Sequence, residues 1–125
     1  MSSLSEQVVA LTQLIETNQT IEAMERFYTD NVTMQENDQP PRVGKAVCLA
    51  HERKLLAAVT ELSSKLVSQA INEETGIVFS EWYMESTYPS GKRFSLNEVS
   101  VQHWVNNLIC QEKFYYNSVI QLEPA

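Results

Sequence analysis

The hydrophobic pattern of this chain changes its period near Glu61, and this change constrains the fold more than any other feature. Before Glu61, apolar residues recur three or four positions apart, as they do in helices that bury one face. After it, apolar and polar residues alternate, and β-branched and aromatic residues become common. The order of the two patterns predicts an α+β fold, in which N-terminal helices pack on a sheet.

Three helices are predicted in the first half of the chain. Ser3 or Ser5 can cap the first helix and Thr20 the second, while the third should run from Lys45 to about Thr60. The residues expected to be buried are Val8, Leu11, Leu14 and Ile15 in the first helix, Ile21, Met24, Phe27 and Tyr28 in the second, and Val47, Leu55, Ala58 and Val59 in the third.

The strands are predicted to form one antiparallel sheet. A short strand at residues 32–36 precedes the third helix and ends at a loop with two prolines. Strands as long as those that follow favour a strongly curved sheet, and the helices can close its concave side around a pocket. The four longer strands are predicted at residues 66–72, 77–88, 94–105 and 108–120.

Length and charge limit the partners that this chain can have. Its 125 residues suit a single domain, residues 1–125. Sixteen acidic and nine basic side chains give a net charge of -7, which repels phosphate backbones and anionic lipids, so neither nucleic acid nor a membrane is expected as a partner. Cys48 and Cys110 form no CxxC motif and suit a reducing compartment. With no signal-like N-terminus, a cytoplasmic location is predicted.

Three local strings resemble the nuclear transport factor 2-like superfamily, specifically its SnoaL-like branch. They are residues 26–36 (RFYTDNVTMQE), 41–45 (PRVGK) and 112–117 (EKFYYN). The resemblance implies a cone of curved sheet with helices at its mouth. It also implies a homodimer through the convex sheet face, where an apolar patch would mark the interface. The residues expected in that patch are Phe79, Tyr83 and Trp104.

Enzymes of this superfamily usually place a carboxylate in the cone, where an apolar wall raises its pKa. The resemblance puts Glu36 at the position of the ketosteroid isomerase base, with Met34 on the same face of its strand. Glu112 shares the orientation of Phe114 and could divide acid and base roles with Glu36. His103 is a further candidate proton carrier, if it reaches the pocket.

The rest of the expected pocket is largely apolar. The positions of the Asp-Arg-Asp set of the related epoxide hydrolases fall on Trp82, Met84 and Phe114, so this set is absent. These three side chains would instead line the cone around a small apolar or aromatic molecule. Tyr28 or Tyr116 would orient that molecule.

Each candidate also has a purely structural interpretation. Glu36 can be a solvated carboxylate at a strand end, and Glu112 can pair with Lys113 on the open face of the sheet. His103 can be a core histidine satisfied by a hydrogen bond. The direction in which each side chain points decides between the interpretations.

Two functions therefore stay open. One is a cofactor-independent isomerase, cyclase or dehydratase that uses Glu36 as general base; the other is a non-catalytic ligand-binding or protein-interaction domain. The donor positions of a ketosteroid-type oxyanion hole fall near Thr12 and Val101, and valine cannot donate. His51 and Glu52 begin like a zinc-protease motif, but Leu55 stands where its second histidine would be, and three scattered glycines make no phosphate cradle. Neither a metal nor a cofactor is predicted.

Overall fold

Three helices and seven strands make up residues 3–123, the part of the chain that the computed structural model describes. The helices are α1 (Leu4–Glu16), α2 (Thr20–Phe27) and α3 (Lys45–Ala58). The strands are β1 (Tyr28–Glu36), β2 (Arg42–Val43), β3 (Glu61–Asn72), β4 (Ile77–Thr87), β5 (Arg93–Val105), β6 (Leu108–Tyr115) and β7 (Ile120–Leu122). Within this range, no helix is both long enough and apolar enough to cross a membrane.

The strands form one curved sheet in the order β2-β1-β6-β5-β4-β3, and β7 pairs with β5. Every pairing is antiparallel except that of β1 with β6, which is parallel. The predicted α+β fold, with three helices on a curved sheet, is thus confirmed, apart from this parallel pair. The last predicted strand is shorter than expected, because β6 ends at Tyr115 and β7 is a separate strand.

The first helix begins at the serine that its sequence favours. Ser3 accepts a hydrogen bond on its side chain from the backbone N–H of Glu6, and the Glu6 side chain accepts one from the backbone N–H of Ser3. This reciprocal capping satisfies two backbone donors that a helix start leaves free. The buried residues of α1 are Leu4, Val8, Leu11 and Thr12.

The second helix differs from its prediction at both ends. Gln19 rather than Thr20 occupies the N-cap position, and its side chain makes no capping hydrogen bond. At the other end, Phe27 is the last helical residue and Tyr28 already has extended backbone angles. Tyr28 therefore opens β1, and its hydroxyl donates a hydrogen bond to the buried Glu112 on β6.

The third helix buries a different face from the predicted one. Cys48 and Leu49 are its buried residues, whereas Val47 and Leu55 are 53% and 49% exposed. Part of the inner side of α3 borders a cavity rather than the packed core, so Leu55 lies in the cavity wall although it is half exposed.

Trp104 belongs to the core and not to the convex face of the sheet. It is only 5% exposed, and its ring packs edge-to-face against Phe27, with 5.9 Å between the ring centroids. The expectation that Trp104 contributes to an outer apolar patch was wrong, because the even-numbered residues at this end of β5 face the helices. Other fully buried residues of this core are Val8, Leu11, Met24, Val32, Val78 and Ile109.

Candidate functional site

A cavity of about 210 Å³ lies between the helices and the concave face of the sheet. All three helices border it, and β1, β2, β3, β4, β5 and β6 each contribute to its wall. The apolar part of the wall is mainly Met24, Met34, Trp82, Met84, Leu96 and Phe114. The polar and ionisable part includes Tyr28, Glu36, Arg42, His51, Glu52, Glu98 and Glu112.

Most of the residues predicted for the site border this cavity. They are Tyr28, Met34, Glu36, Trp82, Met84, Glu112 and Phe114. The alternation of a β-strand explains why Trp82 and Met84 share one face of β4. Their orientation is therefore a fact of the structure, whereas ligand binding and catalysis by these residues stay predictions.

His103 lies on the opposite face of β5 from the cavity. It alternates with Gln102 and Trp104, which are 4% and 5% exposed and point toward the helices. The expectation that His103 reaches the pocket is therefore corrected. Val101 and Val105 flank His103 on the outer face of β5, and these apolar neighbours suggested that this face is the buried one.

Tyr116 lies just beyond the end of β6, beside the cavity rather than in its wall. It borders an adjoining open groove with Asn37 and Glu98, and its backbone N–H donates to the side chain of Asn37 over 3.1 Å. Burial, followed by the nearby carboxylates of Glu36 and Glu98, raises the pKa of the Tyr116 hydroxyl.

Glu112 is the most enclosed carboxyl group of the cavity, since the residue is only 3% exposed. The Tyr28 hydroxyl donates a hydrogen bond to its Oε1 atom. Gln102 Nε2 donates to its Oε2 atom over 2.7 Å, and Trp104 Nε1 donates to Gln102 Oε1 over 2.9 Å. Because the Trp104 indole can only donate, it fixes which end of the Gln102 amide faces Glu112.

Near neutral pH, the protonated and ionised forms of Glu112 are present in similar amounts. Burial is the main cause that raises its pKa from 4.5 to about 7, and the hydrogen bonds from Tyr28 and Gln102 partly oppose this rise. Nearby carboxylates on Glu52 and Glu36 raise it further. Burial, and then the Glu112 charge, raises the pKa of Tyr28 well above its ordinary value, so Tyr28 keeps its proton. Glu112 can therefore either accept or donate a proton.

Glu98 is a second carboxyl group of this kind, and the sequence did not single it out. It lies on the cavity face of β5, and burial, followed by the charges of Glu112, Glu36 and Glu52, raises its pKa to about 7. Residues 98 and 104 share one face of a regular strand, so the position of Glu98 follows only once Trp104 is placed in the core instead of on the convex face.

Glu36 is engaged by a partner that the sequence did not suggest. Arg42 Nη1 lies 2.5 Å from Glu36 Oε2, and the two side chains are 21% and 27% exposed. Glu36 is thus both less enclosed than Glu112 and already paired with a cation. The geometry favours Glu112 over Glu36 as the group that exchanges a proton with a ligand.

The face of α3 that borders the cavity carries His51, Glu52 and Leu55. These three positions share one side of a helix, and this spacing could have indicated from the sequence that they face the same space. Burial is the first cause that raises the pKa of Glu52, and the Arg42 charge opposes it. Among residues 3–123, no group of three or more His, Cys, Asp or Glu side chains is arranged to hold a metal ion.

Comparison with known proteins places this site in a wider context. The sequence matches the model of the SnoaL-like domain over residues 8–112. No curated protein matches it.

Several solved structures share the fold. One is the epoxide hydrolase/cyclase-like enzyme SalBIII, with a role in pyran ring formation in the polyether salinomycin (TM-score 0.80, 17% identity, 95% of each chain covered). Another is a candidate SnoaL-like polyketide cyclase from Mesorhizobium loti (TM-score 0.78, 19% identity, 92% of this chain and 100% of that chain). A third is an LEH-like epoxide hydrolase from M. tuberculosis (TM-score 0.74, 12% identity, 91% of this chain and 82% of that chain). Structural similarity at such low sequence identity shows a shared fold only, so any activity has to be argued from the residues of the site.

Proposed function

The chain belongs to the SnoaL-like domain family, and from this premise we propose that it is an enzyme that moves a proton on a small, flat and largely apolar molecule, with Glu112 as general base. The reaction is of the isomerase, cyclase or dehydratase type and uses no cofactor. The observation that carries the proposal is the carboxyl group of Glu112, which borders the cavity, is held by two donors and has a pKa of about 7.

Ionised Glu112 would accept the proton. Tyr28 and Gln102 fix its two oxygens, so the carboxylate meets the substrate in one orientation, which lowers the cost of reaching the transition state. Glu98 is partly protonated near neutral pH and would return a proton to another atom of the substrate. Trp82 and Phe114 would hold the flat part of the molecule and exclude water from it.

The structural neighbours support this class of chemistry without assigning the reaction. They include an LEH-like epoxide hydrolase and an epoxide hydrolase/cyclase-like enzyme, and both kinds of reaction need a positioned proton acceptor or donor. The cavity of this chain provides such groups in Glu112 and Glu98, although the Asp-Arg-Asp set of the related epoxide hydrolases is absent.

The test uses 5-nitrobenzisoxazole, a flat neutral probe of buried bases. A base removes the proton on C3, the released electron pair completes a nitrile as the N–O bond breaks, and the coloured product is a cyanonitrophenolate. Glu112→Gln should reduce the rate by at least about 100-fold, as expected for the loss of a general base. The wild-type rate should rise as the pH passes through about 7, because only ionised Glu112 accepts the proton.

Glu36→Gln is the matched control, since it removes a carboxyl group from the same cavity. It should retain most of the rate. Loss of the rate in Glu36→Gln alone would transfer the role of base to Glu36, as the sequence suggested. Equal rates for the wild type and both variants, each checked for cooperative thermal unfolding, would refute proton transfer and support a ligand-binding domain without catalysis.

A further inference from the structure

The charges around the cavity are strongly unbalanced. Four glutamates border it, namely Glu36, Glu52, Glu98 and Glu112. Within the described part of the chain, Arg42 is the one arginine or lysine in the wall, and it already pairs with Glu36. Three carboxyl groups therefore face one small space with no basic side chain committed to them.

We infer that the cavity takes a small molecule that carries a protonated amine on an apolar or aromatic body. The inference deepens the proposed function, because it names the substrate class for the same site. It rests on the geometry of that cavity and on the groups in its wall that lack partners.

Glu52 and Glu98 are the groups that lack partners. Over residues 3–123, neither side chain makes a hydrogen bond or an ion pair, although both are partly buried against the cavity. A carboxylate that has lost part of its hydration and has no donor from the protein is less favourable than one that is hydrogen-bonded. An ammonium group offers three donors and no acceptor, so it satisfies such oxygens better than a hydroxyl group does.

The existing cation cannot take over this role. Arg42 Nη1 is held by Glu36 at 2.5 Å on the side of the cavity formed by β1 and β2. Its buried Nε atom has no hydrogen-bond partner, and the guanidinium makes no hydrogen bond or ion pair with Glu52 or Glu98 within the described residues. The mutual repulsion of the glutamates persists in its presence, since Glu112, Glu36 and Glu52 together raise the pKa of Glu98 beyond the effect of burial. A bound cation would relieve this repulsion.

Other ligand charges suit the cavity less well. An anionic ligand would meet four glutamates and one arginine that already pairs with Glu36, and a neutral one would leave Glu52 and Glu98 without a strong donor. The aromatic walls suit the rest of the molecule, because the faces of Trp82 and Phe114 attract both apolar groups and cations. The net charge of -7 would also raise the local concentration of cations.

The test compares three ligands that share one carbon skeleton and differ in charge. They are 2-aminoindane, 2-indanol and indane-2-carboxylate, which are cationic, neutral and anionic near neutral pH. Titration calorimetry on the wild-type protein should show 2-aminoindane binding at least about tenfold more tightly than 2-indanol, because it gains an ion pair in a cavity of low dielectric. The carboxylate should bind more weakly than either.

Variants of single glutamates identify the carboxylates that bind the amine. Glu98→Gln should weaken 2-aminoindane by roughly tenfold and leave 2-indanol unchanged, since only the amine uses the charge. Glu52→Gln is the second variant, which keeps the test decisive if Glu98→Gln does not fold. The matched control is Glu74→Gln, which removes the same charge from an exposed turn between β3 and β4 and should leave both affinities unchanged.

Three outcomes would overturn the inference. They are failure of 2-aminoindane to bind the wild type, binding of 2-indanol or the carboxylate at least as tight as that of the amine, and equal weakening by the cavity variants and Glu74→Gln. The assay measures affinity and needs no turnover. Amine selectivity in a protein that leaves 5-nitrobenzisoxazole intact would refute only the proton transfer, whereas Glu112-dependent turnover without amine selectivity would refute only the ligand class.

Discussion

At the scale of single residues, the acid–base groups of the cavity are also a source of instability. Burial raises the pKa of Glu98 and Glu112 from 4.5 to about 7. The folded protein therefore holds these protons more tightly than the unfolded chain does. The stability that they contribute is complete below about pH 4.5, and it is lost as the pH rises through about 7. Carboxyl groups with the raised pKa that the proposed proton transfer requires thus reduce the stability of the fold at neutral pH.

Replacing Glu98 should reveal this linkage. Glu98→Gln removes a group that is difficult to ionise, so it should raise the free energy of unfolding by about 2 kcal/mol near pH 8, a value discounted for the partial exposure of the residue. Near pH 5 the gain should be much smaller, because the folded wild type is then protonated at this position. Urea unfolding at the two pH values measures the difference. A gain that is the same at both values would contradict the raised pKa.

At the scale of secondary-structure elements, the turn between β3 and β4 supports the site from a distance. Gly76 has a φ of +72°, and its carbonyl accepts a hydrogen bond from the backbone N–H of Trp104 over 2.8 Å. A β-carbon at Gly76 would lie 2.3 Å from the Trp104 carbonyl oxygen. Since Trp104 orients Gln102, and Gln102 orients Glu112, this turn and the buried carboxyl group are connected through direct contacts.

Alanine at two turn glycines should therefore have unequal effects. Gly76→Ala should cost about 3 kcal/mol of unfolding free energy, because it combines backbone strain with a clash against the main chain of β5. Gly91→Ala is the matched control: its φ is +87°, but no atom lies within 4 Å of the added carbon. It should cost about 1 kcal/mol. Urea unfolding compares the two, and equal losses would show that the contact with Trp104 is unimportant.

At the scale of the whole molecule, the convex face of the sheet carries apolar side chains that no helix covers. On β5, the outward residues include Val99, Val101 and Val105, and Val101 pairs across the sheet with Phe79, which is 50% exposed. We propose that a second copy of the chain covers this convex face and forms a homodimer.

Light scattering at micromolar concentration measures this state directly and should give the mass of two chains. Phe79→Glu places a charge in the proposed interface and should give the mass of one chain, because a desolvated and unpaired carboxylate opposes association. Val9→Glu is the matched control, since Val9 is also 50% exposed but lies on α1, away from the sheet face. A monomeric wild type, or a dimer that both substitutions disrupt, would contradict the proposal.

Local patterns in the sequence determined the secondary structure and which residues of one strand share a face. The period of apolar residues predicted three helices followed by strands, and strict alternation predicted that Glu112 and Phe114 share one face of β6. These properties depend on neighbours within a few positions of the chain, so they can be inferred without knowledge of the fold. The family resemblance, rather than alternation, placed Trp82, Met84 and Phe114 on the inner side.

Only the tertiary structure decided which carboxyl groups can exchange protons. The apolar residues on the outer face of β5 suggested the wrong orientation, so His103 was expected inside and Glu98 was not considered. The sequence likewise did not show that Arg42 pairs with Glu36, or that Tyr28 and Gln102 hold Glu112. A pKa depends on burial and on charges from segments distant in the chain, and these are fixed only when the helices and the sheet pack together.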